Sequence, residues 1–414
     1  MSLFLTILAF ALLPGCVAAL LYWIVVWFRV RQVERDRPTV RAGLDLSAPA
    51  TGWPRVSVVI PAHNEKRVID ACAASLRKQD YPNLEVIFVL DRCTDETRDL
   101  LRPHEQADSR IVVIENDHCP ADWAGKCHAA QLGASRATGE WLLFTDADTE
   151  FHPALCRASV ATALHQNLGL LSLLSTLTHE KPHELIAQPV AGFNLMRIYP
   201  IRRVVRDSRT EGRRPMRPFA NGQFMLFSRE WYEKIGRHEA VREDLLEDLA
   251  LARRVHEMNG RLLTLLADGM LRCSMYDSMA GFKAGWKRIF IEACNRSPRR
   301  LRRYGFRVLI NGVGAPIVQI ASLITSVVLL TREDWWLPTL VGALLGGVAI
   351  AGIIMQGAAL VRLYRLSAAP IRAAMFYPAG CWILSRILFD GARDLHARRP
   401  VRWGGRQYIL EPRA

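Results

Sequence analysis

Two aspartates separated by one small residue, Asp146 and Asp148, form the pattern in this sequence that points most directly to chemistry. They follow the apolar run 141–145, which predicts a strand, and strand alternation places both carboxylates on the same side. Neighbouring carboxylates repel each other unless a cation lies close to both. Hard oxygen ligands favour Mg²⁺ or Mn²⁺, which usually also bind substrate phosphates. The pattern predicts a divalent metal site, although a solvated loop is the ordinary alternative.

Polar residues also follow other predicted strands. The first of these strands runs into Pro61, Ala62, His63, Asn64 and Glu65. Asp91 ends the second strand, where it could accept hydrogen bonds from a nucleobase or ribose; a helix cap is the alternative. Lys126 follows a glycine near a predicted helix start, where backbone N–H groups favour phosphate. Without this context Lys126 would be an ordinary surface lysine.

Two further acidic pairs, Glu243-Asp244 and Glu247-Asp248, stand at helical spacing before an amphipathic stretch. Acidic residues favour the N-terminus of a helix, which is sufficient to explain the first pair. The functional interpretation is a carboxylate base that faces an acceptor hydroxyl.

These residues lie on a regular alternation of strands and helices. Strands are predicted at 55–60, 84–90, 111–115 and 141–145, and helices at about 65–78, 95–107 and 124–138. Such alternation indicates an α/β fold with a mostly parallel sheet, whose ligands bind beyond the carboxyl ends of the strands.

Apolar runs flank this region at both ends of the chain. Residues 3–28 carry no charge and are followed by a basic cluster, which predicts a transmembrane anchor with its N-terminus outside and residues from about 29 in the cytoplasm. Residues 308–330 and 335–361 are each long enough to span a bilayer. The stretch 371–389 either crosses the membrane, or lies in the interface or re-enters, and the sequence leaves these options open.

The predicted organisation has four parts. Residues 1–30 form the anchor, 54–300 a cytoplasmic catalytic domain, 305–392 a membrane region of two or three helices, and 393–414 a basic tail. The expected location is the cell's inner membrane. The nine cysteines show no disulfide or zinc spacing and are expected to be reduced thiols.

The formal net charge of +14 admits nucleic acid, anionic lipid or a phosphorylated substrate as partner. Because the excess arginines lie beside the apolar runs, membrane topology is the favoured reason, and no nucleic-acid partner is expected. The arginine-rich segment 197–217 either docks on anionic lipid or forms a solvated loop. Gly222 and Gln223, which follow it, are candidates for the acceptor side of the site.

The blocks VSVVIPAHNE, VLDRCTDET, WAGKCHAAQLGASRATGEWLLFTDADTEFHP and EDLALARRVHEMNGR resemble, in this order, those of the family 2 glycosyltransferases. The resemblance implies the GT-A nucleotide-sugar fold. It implies that the first loop (Pro61 to Glu65), Asp91, Lys126 and Asp146 bind the nucleotide-sugar, and that Asp148 with Asp146 binds the metal. It aligns the base with Asp248, beside Glu247, rather than with Asp244. Arg92 stands where the family often has a second acid.

The terminal apolar segments, with FANGQFMLFSREWYEKIG, GFKAGWKRIF and WGGRQY, are similar to those of hopanoid- and carotenoid-associated transferases. This narrower resemblance implies an inverting transferase that uses a nucleotide-diphospho-sugar and a lipid-like acceptor. The alternatives are a polyprenyl-phosphate sugar synthase, a processive polysaccharide synthase and a nucleotide-sugar-binding scaffold without activity. No Q-x-x-R-W sequence follows the Glu-Asp block, which disfavours processive extension. The oligomeric state is not predicted.

Overall fold

The computed structural model of the protein describes residues 2–36, 38–199, 218–331, 336–403 and 406–413. Most of the arginine-rich segment, at 200–217, lies outside the described residues, so neither interpretation of it is tested.

The strands are β1 (Val56–Ala62), β2 (Leu84–Asp91), β3 (Ile111–Asn116), β4 (Trp141–Phe144), β5 (Thr149–Phe151), β6 (Leu170–Leu174), β7 (Thr176–Leu177), β8 (Met225–Ser228), β9 (Leu262–Leu266), β10 (Leu271–Cys273), β11 (Val401–Trp403) and β12 (Arg406–Tyr408).

The helices are α1 (Ser2–Asp36), α2 (Ile69–Arg77), α3 (Thr97–Ala107), α4 (Gly125–Arg136), α5 (Leu155–His165), α6 (Pro182–Ile186), α7 (Gln188–Ile198), α8 (Arg229–Lys234), α9 (Glu247–Glu257), α10 (Met279–Ala293), α11 (Pro298–Leu309), α12 (Ala315–Leu330), α13 (Trp336–Leu366) and α14 (Tyr377–His396).

A seven-stranded sheet in the order β3-β2-β1-β4-β8-β6-β9 forms the centre of the domain. Strands β1 and β2 are almost continuously apolar and buried on both faces, as expected for central parallel strands covered by helices. Pairing is parallel from β3 through β2 and β1 to β4, and again between β6 and β9. Only β8 runs antiparallel to its neighbours β4 and β6. The predicted α/β fold with a mostly parallel sheet is confirmed.

Two smaller sheets complete the β structure. One has the order β5-β10-β7, and the other is the hairpin β11-β12 near the C-terminus. All nine cysteines are free thiols, as the sequence predicts.

Among the described residues, three helical segments are long and apolar enough to cross a membrane: Leu3–Asp36, Pro298–Leu330 and Trp336–Leu366. Helix α1 packs against α12 and α13, and polar side chains hold the three together. Cys16 Sγ lies 3.0 Å from Ser322 Oγ, and the Ser326 hydroxyl donates to the Gly342 carbonyl at 2.7 Å. Small residues at such contacts let helices approach closely in lipid.

The stretch 371–389, which the sequence leaves open, is not among these candidate spans. It forms a short 3₁₀ turn, Ile371–Phe376, followed by α14, which packs against α7, α10 and α11. After α14 the chain returns to the turn that follows α10, at the end of the α/β domain, where the Arg413 amide donates to the Arg296 carbonyl at 3.0 Å. The tail and the domain therefore lie on the same side of any membrane that the candidate spans cross.

Candidate active site

The first two loops are joined at the carboxyl ends of β1 and β2. The paired strands end level with each other, since Ala62 lies opposite Leu90. His63 Nδ1 lies 2.5 Å from the Asp91 carbonyl oxygen, and the Asn64 side-chain oxygen accepts from the Thr94 amide at 2.8 Å. Asn64 has a φ of 59°, a conformation that asparagine adopts more readily than most residues. The predicted loop is thus joined to the residues that follow β2 at this edge of the sheet.

Arg92, directly after β2, holds the Asp91 carboxylate. Its guanidinium donates to both carboxylate oxygens, at 3.1 and 2.6 Å, and Asn116 Nδ2 donates to one of them at 3.0 Å. Only 4% of the Asp91 side chain is exposed. A Cβ at Gly125 would lie 2.8 Å from the Arg92 guanidinium, so this glycine leaves room for the pair. Asn116 is a site residue that was not predicted, although its polar side chain directly after a predicted strand is a usable signal.

Arg92→Ala is expected to lower the free energy of unfolding by about 3 kcal/mol, because it leaves a buried carboxylate without its charged partner. Thermal or chemical unfolding of the purified chain would measure this. Arg102→Ala is the matched control, since its exposed pair with Asp99 should contribute less than about 1 kcal/mol. Removing both partners, Asp91→Ala with Arg92→Ala, should restore much of the loss. Equal stabilities of the Arg92 and Arg102 variants would contradict the assignment.

Lys126, in the first turn of α4, lies at the centre of the site. Its ammonium nitrogen is 2.7 Å from Asp146 Oδ1, after β4, and 2.6 Å from Glu247 Oε1, at the start of α9. Burial alone would lower the pKa of Lys126, but the carboxylates of Asp146, Glu247 and Asp248 raise it well above its ordinary value. The ammonium therefore joins Asp146 and Glu247, which are 101 residues apart in the sequence, into one cluster.

The two acids that begin α9 have different environments. Glu247 is buried, and although burial opposes its charge, Lys126 lowers its pKa below the ordinary value. Asp248 accepts backbone N–H groups from Gly222 at 2.9 Å and Leu249 at 2.7 Å, yet burial and the neighbouring Glu247 charge raise its pKa to about 6. Adjacent carboxyls whose pKa values are pushed apart divide acid–base roles between them. The arrangement favours Asp248 over Glu247 as the group that takes up a proton.

The loop after β4 carries the Asp146–Asp148 pair on a rigid support. Thr145 donates to the Gln223 carbonyl at 2.8 Å, and Thr149 donates to the Asp146 carbonyl at 2.7 Å. Asp148 Oδ1 is buried and has no hydrogen-bond partner in the part of the chain that the structure describes. Burial and the Asp146 charge raise the pKa of Asp148 to about 7, and burial with the same two aspartates raises that of Glu65 to about 8.

This pair fits a divalent cation that completes its coordination elsewhere. Among the described residues no group of three or more His, Cys, Asp or Glu side chains could enclose a metal. Mg²⁺ and related ions are commonly held by one or two carboxylates, with substrate phosphates and water as the remaining ligands. The unpartnered Asp148 oxygen beside Asp146 meets that requirement, so these two residues could hold Mg²⁺ or Mn²⁺.

The predicted acceptor-side residues have different surroundings. Gly222 borders the charged cluster, because a Cβ there would lie 2.9 Å from Lys126 Nζ and 3.4 Å from Asp248 Oδ2. Gln223 is buried, and its side-chain oxygen accepts from Ser175 and Asn221. The side chain of Gln223 is therefore held in the interior, where it supports the loop that carries Gly222.

Gly222→Ala is expected to lower kcat by about 10²-fold, because the added methyl group displaces Lys126 and Asp248 from their positions. Steady-state kinetics would measure the change. Gly192→Ala is the matched control, since no described atom lies within 4 Å of a Cβ there. If the two variants turned over equally fast, close packing at Gly222 would have no part in the activity.

Two known glycosyltransferases are similar to parts of this chain. The chain is 26% identical over 249 residues to a 4,4'-diaponeurosporenoate glycosyltransferase of Staphylococcus haemolyticus. This alignment covers 59% of this chain and 63% of that protein. It is 36% identical over 93 residues to the Escherichia coli UDP-Glc:alpha-D-GlcNAc-diphosphoundecaprenol beta-1,3-glucosyltransferase WfaP, covering 22% of this chain and 35% of that one. The chain therefore spans less than two thirds of the length of these relatives.

Among solved structures, the mannosyltransferase PcManGT from Pyrobaculum calidifontis, in complex with GDP-Man and Mn²⁺, has a TM-score of 0.49 to this chain. It is 18% identical, and the alignment covers 94% of this chain and 98% of that one. The family model described as glycosyl transferase family 2 matches residues 57–236, which include the first two loops, Lys126 and both aspartates of the Asp146 loop. The Glu247–Asp248 pair lies beyond the matched residues. Residues 57–236 of the chain therefore match glycosyl transferase family 2.

Proposed function

We propose that the protein is an inverting glycosyltransferase that moves a sugar from a nucleotide-diphospho-sugar to a hydroxyl of a lipid-like acceptor at the membrane. The observation that carries this proposal is the single charged cluster in which Lys126 joins the Asp146 loop to the Glu247–Asp248 pair. The family 2 domain supports the reaction class. The three candidate spans, and relatives named for diaponeurosporenoate and for a diphosphoundecaprenol-linked acceptor, support the lipid-like acceptor.

The proposed reaction is a single displacement at the anomeric carbon of the donor sugar. The acceptor oxygen attacks the anomeric carbon, the bond from that carbon to the phosphate oxygen breaks, and the nucleoside diphosphate leaves with the electron pair. Asp248 takes the proton of the attacking hydroxyl, for which a pKa of about 6 is well suited. Attack from the face opposite the leaving group inverts the configuration of the sugar.

The remaining charged groups position the reactants and balance charge. Lys126 keeps Glu247 ionised and holds the Asp146 loop against α9. A divalent cation held by Asp148 and Asp146 would supply Lewis-acid stabilisation of the negative charge that develops on the leaving phosphate. The loop from Pro61 to Glu65, together with Asp91, lies at the edge of the sheet where the nucleotide of the donor is expected to bind.

The test is to incubate membranes that contain the full chain with a panel of UDP-, GDP-, ADP- and dTDP-sugars, and to analyse the lipid extract by mass spectrometry. We expect one donor to add a single sugar to a lipid, and membranes with Asp248→Asn to lack that product. A polymer as product would support a processive synthase, and a glycosylated polyprenyl phosphate would support the polyprenyl-phosphate synthase alternative. No transfer from any donor by folded protein would contradict the proposal.

A further inference from the structure

Helix α11, the arginine-rich first part of the candidate span Pro298–Leu330, packs against α14 in an antiparallel pair. Helix α11 continues through a π-helical segment, Ile310–Gly314, into α12, and α14 lies alongside this continuous helix. The contact is close at both ends, because a Cβ at Gly305 would lie 2.8 Å from the Phe389 ring, and Gly312 packs directly on Cys381. The N-terminal end of α14 therefore lies level with the π-helical segment of the candidate span Pro298–Leu330, and its C-terminal end lies toward the arginine-rich part of α11.

One stripe of the 371–396 segment faces away from the protein. Met375, Ala379, Trp382, Arg386 and Arg393 recur at helical spacing and are all exposed. The exposed fraction is 73% for Met375 and 52% for Trp382, which is high for large apolar side chains. The stripe changes from apolar to basic along α14, as expected for a helix that enters an interface at one end and leaves it at the other.

The arginines of α11 have no acidic partners among the residues that the structure describes. Arg299, Arg300, Arg302, Arg303 and Arg307 are exposed, and none forms an ion pair with a described residue. Phe306 and Ile310, which are 55% and 61% exposed, lie on the same helix and its continuation. Basic side chains beside exposed apolar ones are complementary to the headgroups and upper acyl chains of anionic lipid.

A contact with the anchor helix α1 indicates how deep in the bilayer helix α14 begins. Tyr377, at the start of α14, stacks edge-on against Trp23 with ring centroids 5.6 Å apart. Trp23 lies five residues before Phe28, where the uncharged run ends, and five residues of helix span about 8 Å. Interfacial helices bury their apolar face to about 5–10 Å, so the start of α14 lies at the depth of such a helix.

We propose that α11 and the 371–386 segment form an interfacial surface that lies in the headgroup and upper acyl region of an anionic bilayer, on the side of the catalytic domain. The surface consists of Phe306, Ile310, Met375, Phe376 and Trp382, with the α11 arginines and Arg386 at its polar edge. Helix α14 dips into one leaflet and does not cross. The inference rests on helix positions and exposure, and is independent of which sugar is transferred.

The test uses single cysteines labelled with an environment-sensitive fluorophore in full-length protein reconstituted into anionic nanodiscs. Cys93, which is only partly buried, is replaced by serine so that labelling is confined to the introduced site. Lipids brominated near the headgroup should quench a label at Met375→Cys or Trp382→Cys more strongly than lipids brominated near the chain end. Ile324→Cys, in the middle of a candidate span, is the matched control and should show the reverse order.

A label at Arg393→Cys should respond to aqueous iodide and to neither brominated lipid. If labels at Met375 and Trp382 responded only to iodide, the surface would face water and the proposal would be wrong. If labels at Met375 and Trp382 were quenched best by lipids brominated near the chain end, α14 would cross the membrane, which also contradicts the proposal. Since no sugar donor is present, these outcomes are separate from the success or failure of the transfer assay.

Discussion

Asp248→Asn is expected to lower kcat by about 10²–10⁴-fold, the usual contribution of general base catalysis, with little change in donor Kd. The carboxylate lies between two backbone N–H donors and beside the Lys126–Glu247 pair, so it is positioned by the fold before any substrate arrives. Asparagine has nearly the same shape but cannot accept the proton. Steady-state kinetics with the acceptor lipid, and calorimetry with the donor, would measure the two quantities separately.

Asp244→Asn is the matched control for this variant. Asp244 is a partly buried acid four residues earlier in the same segment, and burial raises its pKa despite the nearby Arg296 and Arg253 charges. It makes no contact with Lys126 that would place it in the cluster, so its replacement should leave kcat within a few-fold of the wild type. Full activity of the Asp248 variant, or an equal loss in both, would remove Asp248 from the role of base.

The same assignment predicts how activity depends on pH. Asp248 acts as a base only when deprotonated, so kcat should rise with pH and reach half its maximum near pH 6, the value to which burial and Glu247 raise its pKa. The groups that face it are Glu247, Lys126 and the two backbone amides, and both charged groups keep their charge across this range. A pH profile of kcat that stayed flat between pH 5 and 7 would contradict the assignment.

Much of the sheet could be predicted from the sequence because the signals are local. The runs at 55–60 and 84–90 are β-branched and apolar, and the polar residues that end them fall in loops at one edge of a parallel sheet. The structure places the residues of these loops and Asp146 at that edge, as the alternation of strands and helices implies. The resemblance of these sequence blocks to the family 2 glycosyltransferases is confirmed by the family match over residues 57–236.

The partners within the site could not be predicted in this way, because they depend on side chains that meet only after folding. Nothing in the spacing of Lys126 indicates that it would bind two carboxylates rather than a phosphate, and its phosphate role remains a prediction. Arg92 has a φ of 52°, and its side chain folds back onto the preceding residue, a geometry that no periodicity reveals. Whether 371–389 crosses the membrane likewise depended on where the later tail binds.

Asp148→Asn is expected to abolish the dependence of donor binding on Mg²⁺ or Mn²⁺ and to lower kcat by about 10³-fold or more. Lewis-acid stabilisation of the transition state amounts to several kcal/mol, and each 1.36 kcal/mol is a factor of about ten. The physical reason is that Asp148 Oδ1 is a buried oxygen without a hydrogen-bond partner among the described residues and lies beside the second carboxylate of the pair. An amide in its place supplies no negative charge to the cation.

Calorimetric titration of Mn²⁺ into the protein, with nucleoside diphosphate present and then absent, measures this loss without relying on turnover. Glu150→Gln is the matched control, because Glu150 is an exposed acid two residues further along and should leave the titration unchanged. The metal-free Asp148 variant should melt no lower than the wild type, since asparagine relieves repulsion with Asp146. An unlowered melting temperature would show that the fold is intact, so a lost titration would then report lost coordination of the cation. If the Asp148 variant instead bound Mn²⁺ as Glu150→Gln does, the cation would bind elsewhere.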